Sequence, residues 1–413
     1  MTTTPADGPL GGVRILDLTS VIMGPFATHI LADLGADVIK VESPQGDSLR
    51  HHEPLRHVGM SGSFLNLHRN KRSVVLDLKQ APCRAALNRL VETADVFVHS
   101  LRPKTIERLG YGYDQVRKIK PDIVYCGACG FGAKGPYSDK PAYDDAIQAG
   151  SGTSALLAEV QGEPAYVPTV VCDKLSGQAV AYAILAALFQ RARGGGGQAI
   201  EVPMLETSIE FNLAEHIGGS AFVPPLGEPG YTRLLSRRRK PYRTQDGYAC
   251  ILPYSDRNWQ DFYRFTGRTE FAADPRFRRL TDRVENIAIL YEMIQEEAPK
   301  RTTAQWVAFC DRVSIPCMPV LSLADLPDDP HVKAVGLFGT AEHPSEGRYR
   351  TVRNPVSFSA APFRIRRHAP RLGEHTAEVL AEAGLSSQQI EEVRRSAAVA
   401  PSDGADPKET TDS

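Results

Sequence analysis

The amino-acid sequence predicts an α/β protein: a doubly wound parallel sheet from the first half of the chain, a smaller α/β domain after it, and a C-terminal stretch that rejoins the first lobe. Three observations predict this. Short β-branched runs alternate with helical stretches through the first half, the composition turns rich in proline and glycine near residue 220 (VPPLGEPGY), and strand-like and helical patterns resume near the C terminus.

Taken in order, Val13–Leu18 (VRILDL) reads as a strand. Phe26, Ile30, Leu31 and Leu34 then share one face of a helix that Gly35 can end, and Asp37–Val41 starts the second strand. Ser73–Leu78, a helix through Ala85–Leu90, Asp95–His99, a helix near Thr105 and Ile123–Cys126 continue the alternation. Leu175–Gln190 is a long helix, apolar nearly all round. Gly194–Gly197 follows a helix, not a strand, and reads as a stop and turn before Ala199–Val202. Farther on come an aromatic stretch (Trp259, Phe262, Tyr263, Phe265), helical spacing over Ile287–Ile294 and a short helix near Trp306. Arg348–Ser359 returns to strand-like alternation and Thr376–Arg395 is helical. The expected divisions are 1–220 for the first part of the large domain, 221–335 for the small one and 336–397 for the return. The polar segment 398–413 lacks a core face and is expected to be disordered.

Composition excludes several classes. Hydrophobic residues at 42% and charged ones at 23% describe a globular chain. Forty-eight Lys and Arg against 49 Asp and Glu leave a net charge of −1, so no nucleic-acid partner is expected and any anion site must be local. The longest strongly apolar run, Val180–Phe189, is far shorter than the ~20 residues that span a bilayer, so no membrane association is expected either. The opening MTTTPADGPLGG lacks the basic start and apolar stretch of a secretory signal, and seven scattered cysteines fit a reducing compartment, so the cytoplasm is the expected location. Cys126 and Cys129 form a CxxC, but no second CxxC and no close His pair completes a metal site, and none is expected. Neither GxGxxG nor GxxxxGK[ST] follows any strand, which removes the dinucleotide and P-loop readings.

Three groups of residues could carry chemistry. Asp173 stands just before the apolar helix, where backbone N–H groups and the helix dipole favour its ionised form; it is either a nucleophile or a plain N-cap. Arg233–Arg243 (RLLSRRRKPYR) is a basic run, either an anion grip or a solvated face. Tyr143-Asp144-Asp145 follows a glycine- and proline-rich loop and offers acid/base groups or simple turn residues.

The blocks GGVRILDLTSVIMGPFATHILADLGADVIKVESPQGD, LNLHRNKRSVVLDLK, ADVFVHSLRPKTIERLGYGYD, GFGAKGPYSDKPAYD, VVCDKLSGQAVAYAILAALFQRARGGGGQAIEVPMLE and PRLGEHTAEVLAEAGLSSQQI, in this order from about Leu10 to Ala397, resemble the class III coenzyme A transferases. The resemblance implies a Rossmann-like large domain built from both chain ends plus a small domain, and an interlocked homodimer. It places Asp173 where the family carries its nucleophilic aspartate, with Asp144 in a supporting acidic role. The implied partners are an acyl-CoA and a carboxylic acid, with coenzyme A as substrate and no further cofactor. CoA contacts carry over to Ser20, Val21 and Met23, to Lys71 or Arg72, to His99, Ser100 and Leu101, and to Arg108. Ser20 and Ile22 replace the His and Gln of formyl-CoA transferase, and that enzyme's four-glycine flap has no equivalent before Trp259, which argues against formyl or oxalate specificity. The basic run, with Arg237, Arg238 and Arg239 as substrate contacts, suggests a dicarboxylate acceptor. The superfamily's 2-methylacyl-CoA racemases use a His-Asp pair, and here Tyr143 takes the His position; phenol, with a pKa of ~10, is a poor base at neutral pH. A non-catalytic CoA-binding protein is the third reading, and it requires Asp173 to be dispensable.

Overall fold

The computed structural model describes residues 8–397. Six strands, β1 (Arg14–Leu18), β2 (Asp37–Glu42), β3 (Lys71–Val75), β4 (Val96–His99), β5 (Val124–Cys129) and β6 (Gln198–Pro203), form one parallel sheet in the order β3-β2-β1-β4-β5-β6. This is the dinucleotide-fold strand order. Alternate side chains of each strand enter different cores: Ile15, Val38, Val98 and Val124 pack under helices Met23–Asp33 and Val171–Gln190, while Leu16, Ile39, Phe97 and Tyr125 pack under helix Ala81–Thr93. Val379, Leu380 and Val393, from helices Thr376–Glu382 and Ser387–Ala397, join that second core, so the C-terminal helices cover the N-terminal sheet.

Gly35 ends the first helix at a φ of +111°, with its N–H on the Ala32 carbonyl and that of Ala36 on Leu31, a closure that needs a left-handed residue. The third strand begins at Lys71, two residues before the expected Ser73, because the cations hid the start of a buried strand. Helix Val171–Gln190 begins four residues earlier than its apolar run and continues through a wide turn to Gly195. That span is long and apolar enough to cross a membrane, which the ten-residue run did not suggest; here its Cys172, Val180, Ile184 and Leu188 are part of the core under the sheet.

The chain divides into two units, one holding residues up to Ser151, Val167–Glu210 and Gly336 onward, the other Gly152–Tyr166 and Phe211–Val335. The boundary therefore falls near residue 210 and not at 220, and a short excursion from the first half joins the second unit. In that unit β7 (Tyr242–Arg243), β8 (Tyr248–Ile251) and β9 (Cys317–Pro319) form an antiparallel sheet, so the smaller unit is α+β where α/β was expected. Its core is aromatic, with Trp259, Phe262, Tyr263, Trp306 and Phe309. In the first unit, β10 (Phe338–His343) and β11 (Gly347–Val352) make a hairpin; the strand expected over Arg348–Ser359 stops at Val352. The tail 398–413 lies outside the described residues.

Candidate active site

Strands β1 and β4 meet where the strand order reverses, and in such sheets ligands bind beyond the carboxyl ends of the strands at that point. Two of the segments expected to hold CoA stand there. Ser20–Met23 leaves β1, His99–Leu101 closes β4, and the Ser20 N–H donates to Ser100 Oγ at 3.1 Å, tying the two together. Val21 takes a φ of +69°, a conformation that costs a β-branched residue on the order of 1–3 kcal/mol and that surrounding contacts must hold. Its N–H donates to Asp47 Oδ1 at 3.2 Å; the other Asp47 oxygen accepts from Lys40 Nζ at 2.8 Å, and Lys40 also donates to the Thr19 carbonyl at 2.9 Å. Beside this turn opens a cavity of about 340 Å³ whose lining includes Ser20, Lys40, Asp47, Lys79, Leu101 and Leu109.

Asp173 lies inside the first turn of its helix, not ahead of it, and caps nothing. Its carboxylate accepts the backbone N–H of Met23, at the far end of the strained turn. Its own N–H donates to Asp144 Oδ1 at 3.0 Å, so Asp144 satisfies the helix N-terminus in its place. Asp144 begins the helix Asp144–Gly150; its second oxygen accepts from Gln148 Nε2 at 2.6 Å, and Gln148 Oε1 accepts the Val167 N–H at 2.8 Å. Both acids are buried, Asp173 at 8% exposure and Asp144 at 4%. Burial first, and then the negative charge of Asp144, push the Asp173 carboxyl up to about 6, against the Met23 N–H that lowers it. The expectation that the helix dipole would dominate is thus reversed, because desolvation next to a like charge outweighs one helix end. At pH 7 the Asp173 carboxyl remains mostly ionised.

This shift makes a pH prediction. Below pH 6 Asp173 protonates, and kcat/KM for any reaction needing its carboxylate is expected to fall about tenfold per pH unit. Asp144→Asn removes the like charge and is expected to move that acidic limb to lower pH; a limb unmoved in a pH–rate profile of this variant would show that the repulsion is not what sets it.

The remaining sequence candidates divide. His99 is buried, bonded through Nε2 to the Tyr125 hydroxyl at 2.8 Å, and burial lowers it to about 4, so it is a neutral buried group and not a cation for phosphate. Leu101 lines the cavity, and Arg108, exposed at the end of helix Pro103–Arg108 beside the cavity residue Leu109, makes no ion pair among the described residues. Lys71 and Arg72 are corrections. Lys71 is fully buried and its Nζ donates to Asp17, Thr28 and the Pro25 carbonyl, which removes it from any nucleotide. Arg72 stands at the amino end of the sheet, opposite the cavity, clamped by Asp37, Glu378 and Glu382. Arg237, Arg238 and Arg239 are exposed in the second unit, with Arg237 on the Glu159 carbonyl and Arg238 paired to Glu292. Burial pushes the Cys126 and Cys129 thiols up to about 12, so neither is a nucleophile at neutral pH. Lys40, Asp47 and Gln148 were missed; the only signal was the i, i+4 spacing of Gln148 from Asp144.

Comparison with known proteins shows the family. The pattern of CoA-transferase family III matches residues 10–376. The chain is 33% identical to a succinate–glutarate CoA-transferase of Agrobacterium fabrum, over 91% of this chain and 95% of that one. It is 30% identical to a formyl-CoA:oxalate CoA-transferase of Rhodopseudomonas palustris, over 95% and 97%. Among solved structures, a CAIB/BAIF family protein from Brucella suis superposes with a TM-score of 0.78 at 30% identity, covering 91% of this chain and all of that one. The chain belongs to CoA-transferase family III. It is a CoA-transferase by family, with an acyl-CoA and a carboxylate as its substrate classes.

Proposed function

We propose that the enzyme moves CoA through covalent intermediates on Asp173. The observation that carries this reading is a buried, ionisable carboxylate beside the strained Ser20–Met23 turn, with its pKa raised to about 6 and still mostly ionised at neutral pH. The carboxylate attacks the thioester carbonyl of the donor acyl-CoA, giving an aspartyl mixed anhydride and CoA thiolate. The thiolate then attacks the aspartyl carbonyl, leaving an aspartyl-CoA thioester and the free donor acid. An acceptor carboxylate runs the two steps in reverse. Asp144 holds the nucleophile's backbone and raises its basicity. No step calls for a cofactor other than CoA itself. The cavity at the ends of β1 and β4 supports a CoA site using Ser20, Val21, Met23, Ser100 and Leu101, with Arg108 as the phosphate cation.

A dicarboxylate is the favoured acceptor, supported by the basic run of the second unit and by the relative whose name pairs succinate with glutarate. The working form is an interlocked homodimer in the cytoplasm; Tyr182 and Phe189, both more than half exposed on the Asp173 helix, support a covering partner copy. Tyr143, 71% exposed and standing where the racemases carry their His, weighs against the racemase alternative.

Incubation with a series of acyl-CoA donors followed by hydroxylamine is expected to convert the Asp173 side chain to its hydroxamate, read by peptide mass spectrometry. Protein that turns over while no donor yields this mark at position 173 would overturn the covalent reading.

A further inference from the structure

The second unit holds a pocket of about 80 Å³ lined by Arg233 and Arg283 with Tyr231, Tyr254, Tyr291 and Trp259, the rest of its wall being proline and aliphatic side chains. Two guanidinium groups and no carboxylate line it. Arg283 is only 2% exposed; Nη1 donates to the carbonyls of Phe277 and Arg278 at 3.1 and 3.2 Å and Nη2 pairs with Asp256, while Nε is buried with no acceptor among the described residues. That N–H is enclosed in the packing and has no surface open to the pocket, so Arg233 is the cation the pocket offers. Asp256 neutralises Arg283. Arg233 makes no ion pair among the described residues; it stacks over Tyr254 at 5.2 Å, and although burial lowers its pKa, the neighbouring Tyr291 and Tyr231 raise it on balance.

We propose that this pocket binds a short carboxylate, either a free acid or the carboxylate end of a longer one, with Arg233 as its cation and the aromatic wall against its carbons. A water occupies ~30 Å³ of liquid, so the space admits a planar carboxylate with one or two further carbons. The guanidinium fork matches that group's two oxygens. This deepens the proposed acceptor class and assigns anion recognition to Arg233, not to the exposed Arg237–Arg239. It rests on the second unit alone and stands whether or not Asp173 is the nucleophile.

Trp259 lines the pocket and is one of two tryptophans in the chain, so its emission reports occupancy. The full-length protein is titrated with propionate, with propionamide and inorganic phosphate as comparisons, by tryptophan fluorescence and calorimetry. Propionate is expected to bind saturably with an emission change in wild type and in Asp173→Ala alike, at least tenfold more weakly in Arg233→Met, and propionamide to give no emission change. Unchanged propionate affinity in Arg233→Met overturns the proposal, as does tighter binding of phosphate or equal binding of propionamide. Loss of the emission change in Asp173→Ala alone would assign the ion to the Asp173 site and overturn it too.

Discussion

Asp173→Ala is expected to reduce CoA transfer by about 10⁴-fold or more while acyl-CoA still binds with near-wild-type affinity, because in the proposed mechanism the side chain supplies the reacting oxygen, whereas the cavity proposed for the nucleotide is lined by other residues. Steady-state turnover and equilibrium binding of an acyl-CoA, measured on the same preparation, check both halves. Near-wild-type turnover would remove the covalent role of Asp173. Loss of folding is a separable outcome with its own sign. A carboxylate whose folded pKa is raised costs stability once it is ionised: the cost is absent below the unfolded value near 3.8 and fully present above about 6. The alanine variant should therefore be no less stable than wild type at pH 8 in urea denaturation.

Lys71→Met is expected to cost about 3–5 kcal/mol of stability at pH 7, the penalty for leaving a buried charge without its partner. Lys71 and Asp17 are both wholly buried, 3.3 Å apart, and Met keeps most of the volume, so the loss reports charge and not a cavity. Asp17 is held below the usual carboxylate range against its burial, with Lys71 the strongest of the opposing influences, followed by Lys40 and the hydroxyls of Thr19 and Thr28. With the Lys71 charge gone, Asp17 must protonate or stay charged at higher cost. Burial itself brings Lys71 down to about 8. Asp17→Asn in the Lys71→Met background should recover a good part of the loss, and the double-mutant cycle, read by urea denaturation, isolates the pair. A Lys71→Met cost below about 1 kcal/mol would mean the ion pair contributes little. A large effect on CoA affinity without loss of stability would instead restore Lys71 to the nucleotide site.

The fold was legible where hydrophobic periodicity is local. β1, β2, β4 and β5 and the helix after β1 follow from β-branched runs, from the apolar face of Phe26, Ile30 and Leu31 and from Gly35, whereas the short helices Gly62–Leu67 and Asp144–Gly150 were not read. The start of β3 was read two residues late because its first residues are Lys71 and Arg72, and a cation opening a buried strand looks like a loop until its counter-ion is known. The antiparallel sheet of the second unit was missed for a related reason. Its strands are two to four residues long, and β9 pairs with β8 across more than 60 residues, so no window along the chain contains the pattern.

The site was legible as a set of names and not as roles. The order of the six blocks, with an aspartate at the head of an apolar helix, determined the family and singled out Asp173 and Asp144. Tertiary structure alone decided what these two do to each other: Asp144 caps the helix that Asp173 was expected to cap, and their shared burial raises Asp173 where the helix end alone would have lowered it. It also decided which cations stay available, withdrawing Lys71 into the core and Arg72 to the amino end of the sheet while leaving Arg108 at the surface and Arg233 in a pocket. The physical reason is common to these cases. Periodicity and motif order are properties of neighbours along the chain, whereas the charge state and availability of an ionisable group depend on its desolvation and on partners that in Asp17–Lys71 lie 54 residues away.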